Sequence, residues 1–223
     1  MKLLAIETTT NACSVALQLG ADMAETHVVE ARAHTQILMR MISELLSQGG
    51  VRPADLDGVV LGNGPGSFIG MRIGAAVAQG LCHGAGLGLL PRSSLAAVAA
   101  EAMLDAGVDK VAVVQDAHMR EVYLGCYIKG EDGLPLAGGP ERICSVGELP
   151  LSGDAYAGAG AAWQQYPALL EANRRRITGL LPQELPRARH LLRLHAAAPA
   201  IEPAALLPAY LRTKVADIPA RRP

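Results

Sequence analysis

Hydrophobic residues change rhythm several times along the chain, and each change predicts an element. Lys2 to Ile6 is an apolar run of strand length, Cys13 to Leu19 alternates in part, and Met23 to Glu30 is strand-like. The turns Thr8-Thr9-Thr10-Asn11 and Gly20-Ala21-Asp22 separate them, so the chain opens as a three-strand meander. From His34 to about Gln48 the period becomes helical, and Gly49-Gly50 stops it. A strand from Leu56 to Leu61, a helix after Ser67, an apolar run Leu87 to Leu90 and a helix from Ser93 to Ala106 follow. Three strands followed by such alternation predict an α/β layered domain with a mixed sheet.

The second half begins the same way. Lys110 to Gln115 reads as a buried strand closed by Asp116, then comes the turn Ala117-His118-Met119, then a strand from Glu121 to Ile128. Glu131-Asp132-Gly133 turns into a further strand ending near Ile143. In both halves an acid, Glu7 or Asp116, closes the first strand just before a hairpin. That echo predicts two similarly built subdomains, 1–106 and 107–223, with residues from about 206 to 223 free to return to the first. Beyond Gly147 the pattern weakens: Gly153 to Ala162 is Gly/Ala-rich. Helices are expected over Trp163 to Arg176 and Pro186 to Ala197, and a short element over Tyr210 to Ala216. Pro199, Pro203 and Pro208 interrupt the tail.

Between the second-half echo and the meander lies Val59 to Gly74, a strand passing through Gly64-Pro65-Gly66 into a helix that Ser67 can cap. Such a unit can hold an anion on the free N–H groups of a helix start. The stretch is neither GxxxxGK[ST] nor GxGxxG, and no Lys follows it, so a tight turn without a ligand is the favoured reading. Ser67 is not in a GxSxG elbow and reads as a cap rather than a nucleophile.

Two helices carry more surface than one sheet needs. Ile37, Leu38, Met39, Met41, Ile42, Leu45 and Leu46 span roughly 200° of arc, against about 100° for a helix lying on a single sheet. The surplus calls for a neighbour, either the next helix of the same chain or another molecule. On Phe68 to Gly84, Gly70, Gly74, Val77 and Leu81 are expected on the sheet. Arg72, Ala76, Gln79, Gly80 and His83 form the other face, with small residues where a second helix could approach. The candidate partner interface is therefore Leu38, Met41, Leu45, Arg72, Ala76, Gln79, Gly80 and His83.

Composition narrows the function. Half of the 223 residues are hydrophobic, 18% are charged, and aromatics are only 3%, which argues against a row of base-stacking platforms. Net charge is −1, but residues 1–170 carry 10 basic and 17 acidic side chains, and residues 171–223 carry 10 and 4. Arg174, Arg175, Arg176, Arg187, Arg189 and Arg193 are thus the candidates for meeting phosphate or an acidic partner, against the plainer reading of a solvated face. Cys13, Cys82, Cys126 and Cys144 are widely spaced and are expected as reduced thiols of a cytoplasmic protein. Glu7 interrupts the first apolar run too early for a signal peptide, and no stretch reaches membrane-spanning length. The His27/His34 and His190/His195 pairs lack metal-ligand spacing on one element, so no metal and no cofactor are expected.

Two hairpins, each tipped by an acid, resemble the actin, sugar kinase and Hsp70-like ATPase architecture. There the turns hold phosphates and the acids hold Mg²⁺. A working turn of that kind needs Gly for close backbone approach, and neither Glu7-Thr8-Thr9-Thr10 nor Asp116-Ala117-His118-Met119 contains one.

The opening Met1-Lys2-Leu3-Leu4-Ala5-Ile6-Glu7-Thr8-Thr9-Thr10-Asn11-Ala12-Cys13-Ser14-Val15-Ala16-Leu17 resembles that of the bacterial TsaB (YeaZ) family. The stretch from Gly64 to Gly74 is similar to that family's most specific motif. Asp116 to Tyr123 and Pro208 to Arg212 complete the set in order. The family usually has Asp, Thr and Leu where this chain has Glu7, Ile69 and Met71, and Arg where His118 sits. The resemblance implies a non-catalytic, actin-like (ASKHA-type) α/β chain that forms homodimers when alone and pairs with a TsaD-like catalytic subunit. With a TsaE-like ATPase, such an assembly transfers threonylcarbamoyl to the adenosine beside the anticodon of tRNA, with no membrane involved. A small-molecule kinase or ATPase of the same fold, and a metallopeptidase-like protein, are the alternatives. The first would need a nucleotide site and the second a metal or nucleophile.

Overall fold

The computed structural model describes residues 1–30, 34–149, 151 and 153–212. The expected meander is present as β1 (Lys2–Glu7), β2 (Ala12–Leu19) and β3 (Asp22–Val29). It is followed by α1 (His34–Gln48), β4 (Gly58–Gly62), α2 (Phe68–Ala85) and β5 (Gly88–Arg92). The strands order as β3-β2-β1-β4-β5, antiparallel from β3 to β1 and parallel from β1 to β5. Ser67 Oγ accepts the Gly70 N–H and caps α2, while Gly86, at φ 67°, ends it in the left-handed conformation that glycine takes without steric cost.

After α3 (Ser94–Ala106) the pattern repeats. The strands are β6 (Lys110–Asp116), β7 (Glu121–Lys129), β8 (Pro135–Ala137), β9 (Arg142–Ser145), β10 (Tyr156–Ala159) and β11 (Ile177–Leu180). They order as β11-β10-β6-β7-β8, with β9 also on β7. Each sheet is therefore a hairpin extended on one side by antiparallel pairing and on the other by two parallel strands. The weak echo between Glu7 and Asp116 in the sequence marks a full topological repeat: two mixed sheets with flanking helices.

Some elements differ from expectation. β10 and β11 are strands built from Tyr156-Ala-Gly-Ala159 and Ile177-Thr-Gly-Leu180, with almost none of the β-branched signal. A Cβ at Gly158 would run into the Leu180 side chain and stand tight against the Trp163 indole. The single helix expected over Trp163 to Arg176 breaks at Pro167 into α4 (Ala162–Gln165) and α5 (Pro167–Ala172). It stops at Asn173, whose side chain bonds Leu149 O, Leu169 O and Leu151 N. The helix expected over Pro186 to Ala197 contracts to α6 (Ala188–Arg193) and a 3₁₀ turn (His195–Ala197). Tyr210 to Arg212 are neither helix nor strand, and the remainder of the element expected up to Ala216 lies outside the described residues.

Packing ties the halves together. On α3, Leu95, Val98, Ala99, Ala102 and Met103 face Val111, Val113, Tyr123 and Tyr127 of the second sheet. The small Ala97 meets α6, whose Ala188, Leu191 and Leu192 pack on Leu3, Ala5, Ala16 and Val60 of the first sheet. The return of the tail to the first sheet thus begins at Ala188, ahead of residue 206. It continues through a β-bridge between Leu89 and Ile201 and the burial of Leu206. Among the described residues no helix is long and apolar enough to cross a membrane.

Candidate functional site

The first acid-tipped turn is filled by the chain's own helix. Glu7 is 0% exposed; its Oε1 accepts the Thr9 N–H at 2.7 Å and its Oε2 accepts the Ser94 hydroxyl at 2.7 Å. Burial pushes its carboxyl above the usual carboxylate range, and hydrogen bonds from Thr9 and Ser94 act in the other direction. Thr9 O accepts the Ser67 N–H at 2.6 Å, and the Thr8 hydroxyl donates to Gly70 O at 2.8 Å. A Cβ at Gly66, Gly70 or Gly74 would run into Thr9 O, Thr8 O or the Thr8 hydroxyl. The glycines of the Gly-rich stretch thus let α2 lie directly on the Thr8-Thr9 turn. The Thr9, Ser67 and Gly70 N–H groups, donors that a phosphate at this junction would use, are bonded within the protein.

The second turn is built differently. His118, Met119 and Arg120 lie at φ 61°, 54° and 59°, three consecutive non-glycine residues in the left-handed region. Each costs about 1–2 kcal/mol, so the turn persists only where its surroundings fix it. Asp116 supplies part of that support: its Oδ1 accepts the His118 N–H at 3.0 Å and the Tyr166 hydroxyl at 2.8 Å, and its Oδ2 lies 3.1 Å from His118 Nδ1. Backbone bonds from Ala117 N–H to Glu121 O, Glu121 N–H to His118 O and Val146 N–H to Arg120 O close the turn, and Arg212 adds to them, with Nη2 bonded to Ala117 O at 2.8 Å and 2.5 Å from Glu121 Oε2, and Nη1 3.3 Å from Met119 Sδ. The sequence marks Arg212 only as the end of the Pro208–Arg212 motif; its contact with the Asp116–Tyr123 motif is not readable there, because 93 residues separate it from Met119.

On α1, Leu38, Met41 and Leu45 are 1–2% exposed and pack in the first core with Ala75, Ala78 and Cys82 of α2. These three are corrected from partner-facing to core residues: the surplus arc is satisfied inside the chain, and α1 leaves Met39 exposed. On α2 the buried face is Gly70, Met71, Gly74, Ala75, Ala78 and Cys82, rotated from the expected one, with Val77 and Leu81 only half-buried. The rotation follows from packing on two sides, sheet and α1, instead of one. Arg72, Ala76, Gly80 and His83 are exposed, and Gln79 is half-buried. A Cβ at Gly80 or Gly84 would meet nothing within 4 Å.

Part of this outer face is engaged by the tail. Gln79 Nε2 donates to Pro203 O at 2.8 Å, Arg72 Nε donates to the Tyr210 hydroxyl at 3.1 Å, and the Arg72 guanidinium lies 3.6 Å over the Phe68 ring. Phe68 and Tyr210 rings are 5.3 Å apart.

The six arginines divide into two groups. Arg174, Arg175 and Arg176 are exposed in the turn before β11; Arg176 donates to Gly153 O and Arg174 lies 3.7 Å from Glu171. Arg187 forms an ion pair at 2.6 Å with Glu25, whose side chain is 6% exposed, while Arg189 and Arg193 on α6 are exposed. Among the described residues no three His, Cys, Asp or Glu side chains are grouped to hold a metal. The four cysteines are free thiols, and burial pushes those of Cys13 and Cys82 up to about 11.

The family model for TsaD, tRNA N6-adenosine threonylcarbamoyltransferase, matches residues 28–154. The Haemophilus influenzae tRNA threonylcarbamoyladenosine biosynthesis protein TsaB is 34% identical over 203 residues, 87% of this chain and 84% of that protein. The Escherichia coli protein of the same name is 36% identical over 174 residues, 76% and 75% of the two chains. The solved structure of YeaZ from Pseudomonas aeruginosa superposes with a TM-score of 0.86 at 34% identity, covering 94% of this chain and 99% of that one.

Proposed function

This chain belongs to the TsaB (YeaZ) family, and from that premise we propose that it is a non-catalytic subunit of tRNA threonylcarbamoyladenosine synthesis, working by docking onto a TsaD-like catalytic protein. The observation that carries the reading is the filled first turn. Glu7 is buried and bonded to Ser94, α2 lies on Thr8 and Thr9, and the Thr9 and Ser67 N–H groups are bonded within the protein. A nucleotide would have to displace the start of α2 from Thr8 and Thr9, at the expense of several buried hydrogen bonds.

The docking face is the exposed side of α2. Arg72, Ala76, Gly80 and His83 present small side chains at its centre, where another helix can approach to the 8–10 Å of tight packing. The same face serves a second copy of the chain when the TsaD-like protein is absent, and a TsaE-like ATPase joins the assembled pair. The exposed arginines Arg174, Arg175, Arg176, Arg189 and Arg193 face tRNA phosphate in that assembly.

Gly80→Arg tests the docking. Open space surrounds Gly80, so the variant folds; it is expected as a monomer on sizing columns and fails to bind the TsaD-like protein. A variant that sizes and binds as wild type removes this face from the interface. Multiple turnovers of ATP by the purified protein, lost in Glu7→Ala or Asp116→Ala, would overturn the non-catalytic reading.

A further inference from the structure

Tyr210 and Arg212 are two residues apart, yet they grip different halves of the molecule. Tyr210 takes the Arg72 guanidinium and stacks near Phe68 on α2, in the first half. Arg212 holds Ala117 O, Glu121 and Met119 on the strained turn of the second half. Between these grips and the 3₁₀ turn Pro203–Ala205 the tail is pinned to the first half, with Asn63 Nδ2 donating to Leu207 O and Ala209 N–H donating to Asn63 O. We propose that Pro203–Arg212 is a strap linking the docking face of α2 to the Ala117–Arg120 turn, so that a protein docking on α2 loosens the strap and changes the turn.

Three observations carry the inference. First, the strap borders the docking stripe. At 100° per residue, the strap's contacts Phe68, Arg72 and Gln79 lie within about 40° of one another, and the open stripe Ile69, Ala76 and Gly80 is centred about 80° further round α2. A helix seated on that stripe covers an arc of similar width and reaches Arg72, the residue that holds Tyr210. Second, the clasp is not sealed. Phe68 and Tyr210 remain 42% and 41% exposed, so an arriving side chain can compete for either. Third, the turn stores strain in three successive left-handed residues, and Arg212 is the support that comes from the strap, beside Asp116 and the backbone bonds Ala117 N–H to Glu121 O, Glu121 N–H to His118 O and Val146 N–H to Arg120 O. Losing the Arg212 support lowers what holds these strained residues in place, so the strap biases the backbone of the turn.

The coupling is reciprocal. If docking loosens the strap, a strap already loosened favours docking. This regulation rests on the α2 docking reading above, and its test keeps the two apart. Methyl-labelled methionine spectra of the full chain, with Met119 assigned through Met119→Leu, report the turn directly. Tyr210→Ala and Arg212→Ala are each expected to move the Met119 resonance of the free protein in the same direction. Titrating wild type with the TsaD-like protein is expected to move it that way too, and Tyr210→Ala is expected to bind that protein about fivefold more tightly. Tyr210→Phe, which loses only the bond to Arg72, should give a smaller shift of the same sign. If Tyr210→Ala leaves Met119 at its wild-type position and the affinity unchanged or weaker, the strap is inert while α2 docking stands. If wild type shows no binding at all, the docking reading fails, and the regulation fails with it.

Discussion

The Ser94 hydroxyl donates to Glu7 Oε2 at 2.7 Å, joining the first residue turn of α3 to the end of β1. Its neighbour Ser93, the cap of α3, donates to Glu141, which also accepts the Tyr127 hydroxyl. Two adjacent serines at one helix start therefore each hold a carboxyl, the buried Glu7 from the first half and the half-buried Glu141 from the second. Ser94→Ala leaves Glu7 with its Thr9 donors alone, and is expected to lower unfolding free energy by about 1–3 kcal/mol. Denaturant unfolding measures it. Glu7→Gln is expected to be milder at pH 8, because burial already favours the neutral acid.

Glycines of the same helix should respond in opposite directions. Gly70→Ala places a methyl on Thr8 O and forces α2 off the turn, with an expected loss of about 2–4 kcal/mol, beyond the overpacking cost usual in cores. Gly80→Ala meets open space and gains helix propensity, so a rise of about 0.5–1 kcal/mol is expected. Thermal unfolding of the two variants side by side decides whether the Gly-rich stretch is there for packing.

The strained turn gives a third prediction. Met119 is 69% exposed at φ 54°, so Met119→Gly removes little packing and relieves a left-handed backbone. The variant is expected to be more stable by about 0.5–1 kcal/mol, less than the full strain because glycine also loosens the unfolded chain. A variant less stable than wild type would show that the Met119 side chain, through its contact with Arg212, supports more than its backbone costs.

Much of this architecture was legible because its signals are local. Ser67, Ser93 and the apolar runs of β1, β4 and β6 each announce themselves within a few residues. β10 and β11 were hidden because they sit in parallel pairs where small residues are dictated by neighbours such as Trp163, 5 residues away from Gly158 in sequence but across the sheet in packing. The site was legible in outline only. That Gly66, Gly70 and Gly74 serve the Thr8-Thr9 turn depends on contacts across about 60 residues, which no periodicity records. Likewise Leu38, Met41 and Leu45 were assigned outward because an arc of apolar residues does not say which neighbour covers it.

Charge reversal separates the two arginine groups. Arg187 pairs with the almost fully buried Glu25, which keeps the Ser14 hydroxyl and the Arg189 N–H as donors, so Arg187→Ala is expected to cost about 1–3 kcal/mol of stability by removing its charge partner. Arg175→Glu is expected to leave stability within about 0.5 kcal/mol and to lower the salt slope of tRNA binding by the assembled complex by about 1. An unchanged slope in Arg175→Glu assigns that turn to solvent.

The last prediction comes from Glu101 and His190, which meet where α3 crosses α6. Glu101 Oε1 lies 3.8 Å from His190 Nε2, too long for a hydrogen bond, and His190 Nδ1 is buried with no hydrogen-bond partner among the described residues. Burial pushes the Glu101 carboxyl up to about 7, with Arg187 opposing and Asp105 adding to the rise; burial and then Arg189 and Arg193 push His190 down to about 4. Glu25 faces both groups. The raised acid contributes stability that is complete below 4.5 and is lost as pH rises through about 7. The lowered imidazole contributes stability that is complete above 6.5 and is lost as pH falls through about 4. Over the shared window the two slopes oppose, so wild-type stability should vary little between pH 4.5 and 6.5 on their account. Glu101→Gln removes one slope and should make the protein lose stability as pH falls through that window. His190→Asn removes the other and should make it gain stability over the same fall. Denaturation midpoints of the two variants between pH 4 and 8 provide the check, and parallel pH profiles in both would show that the pair does not titrate in this way.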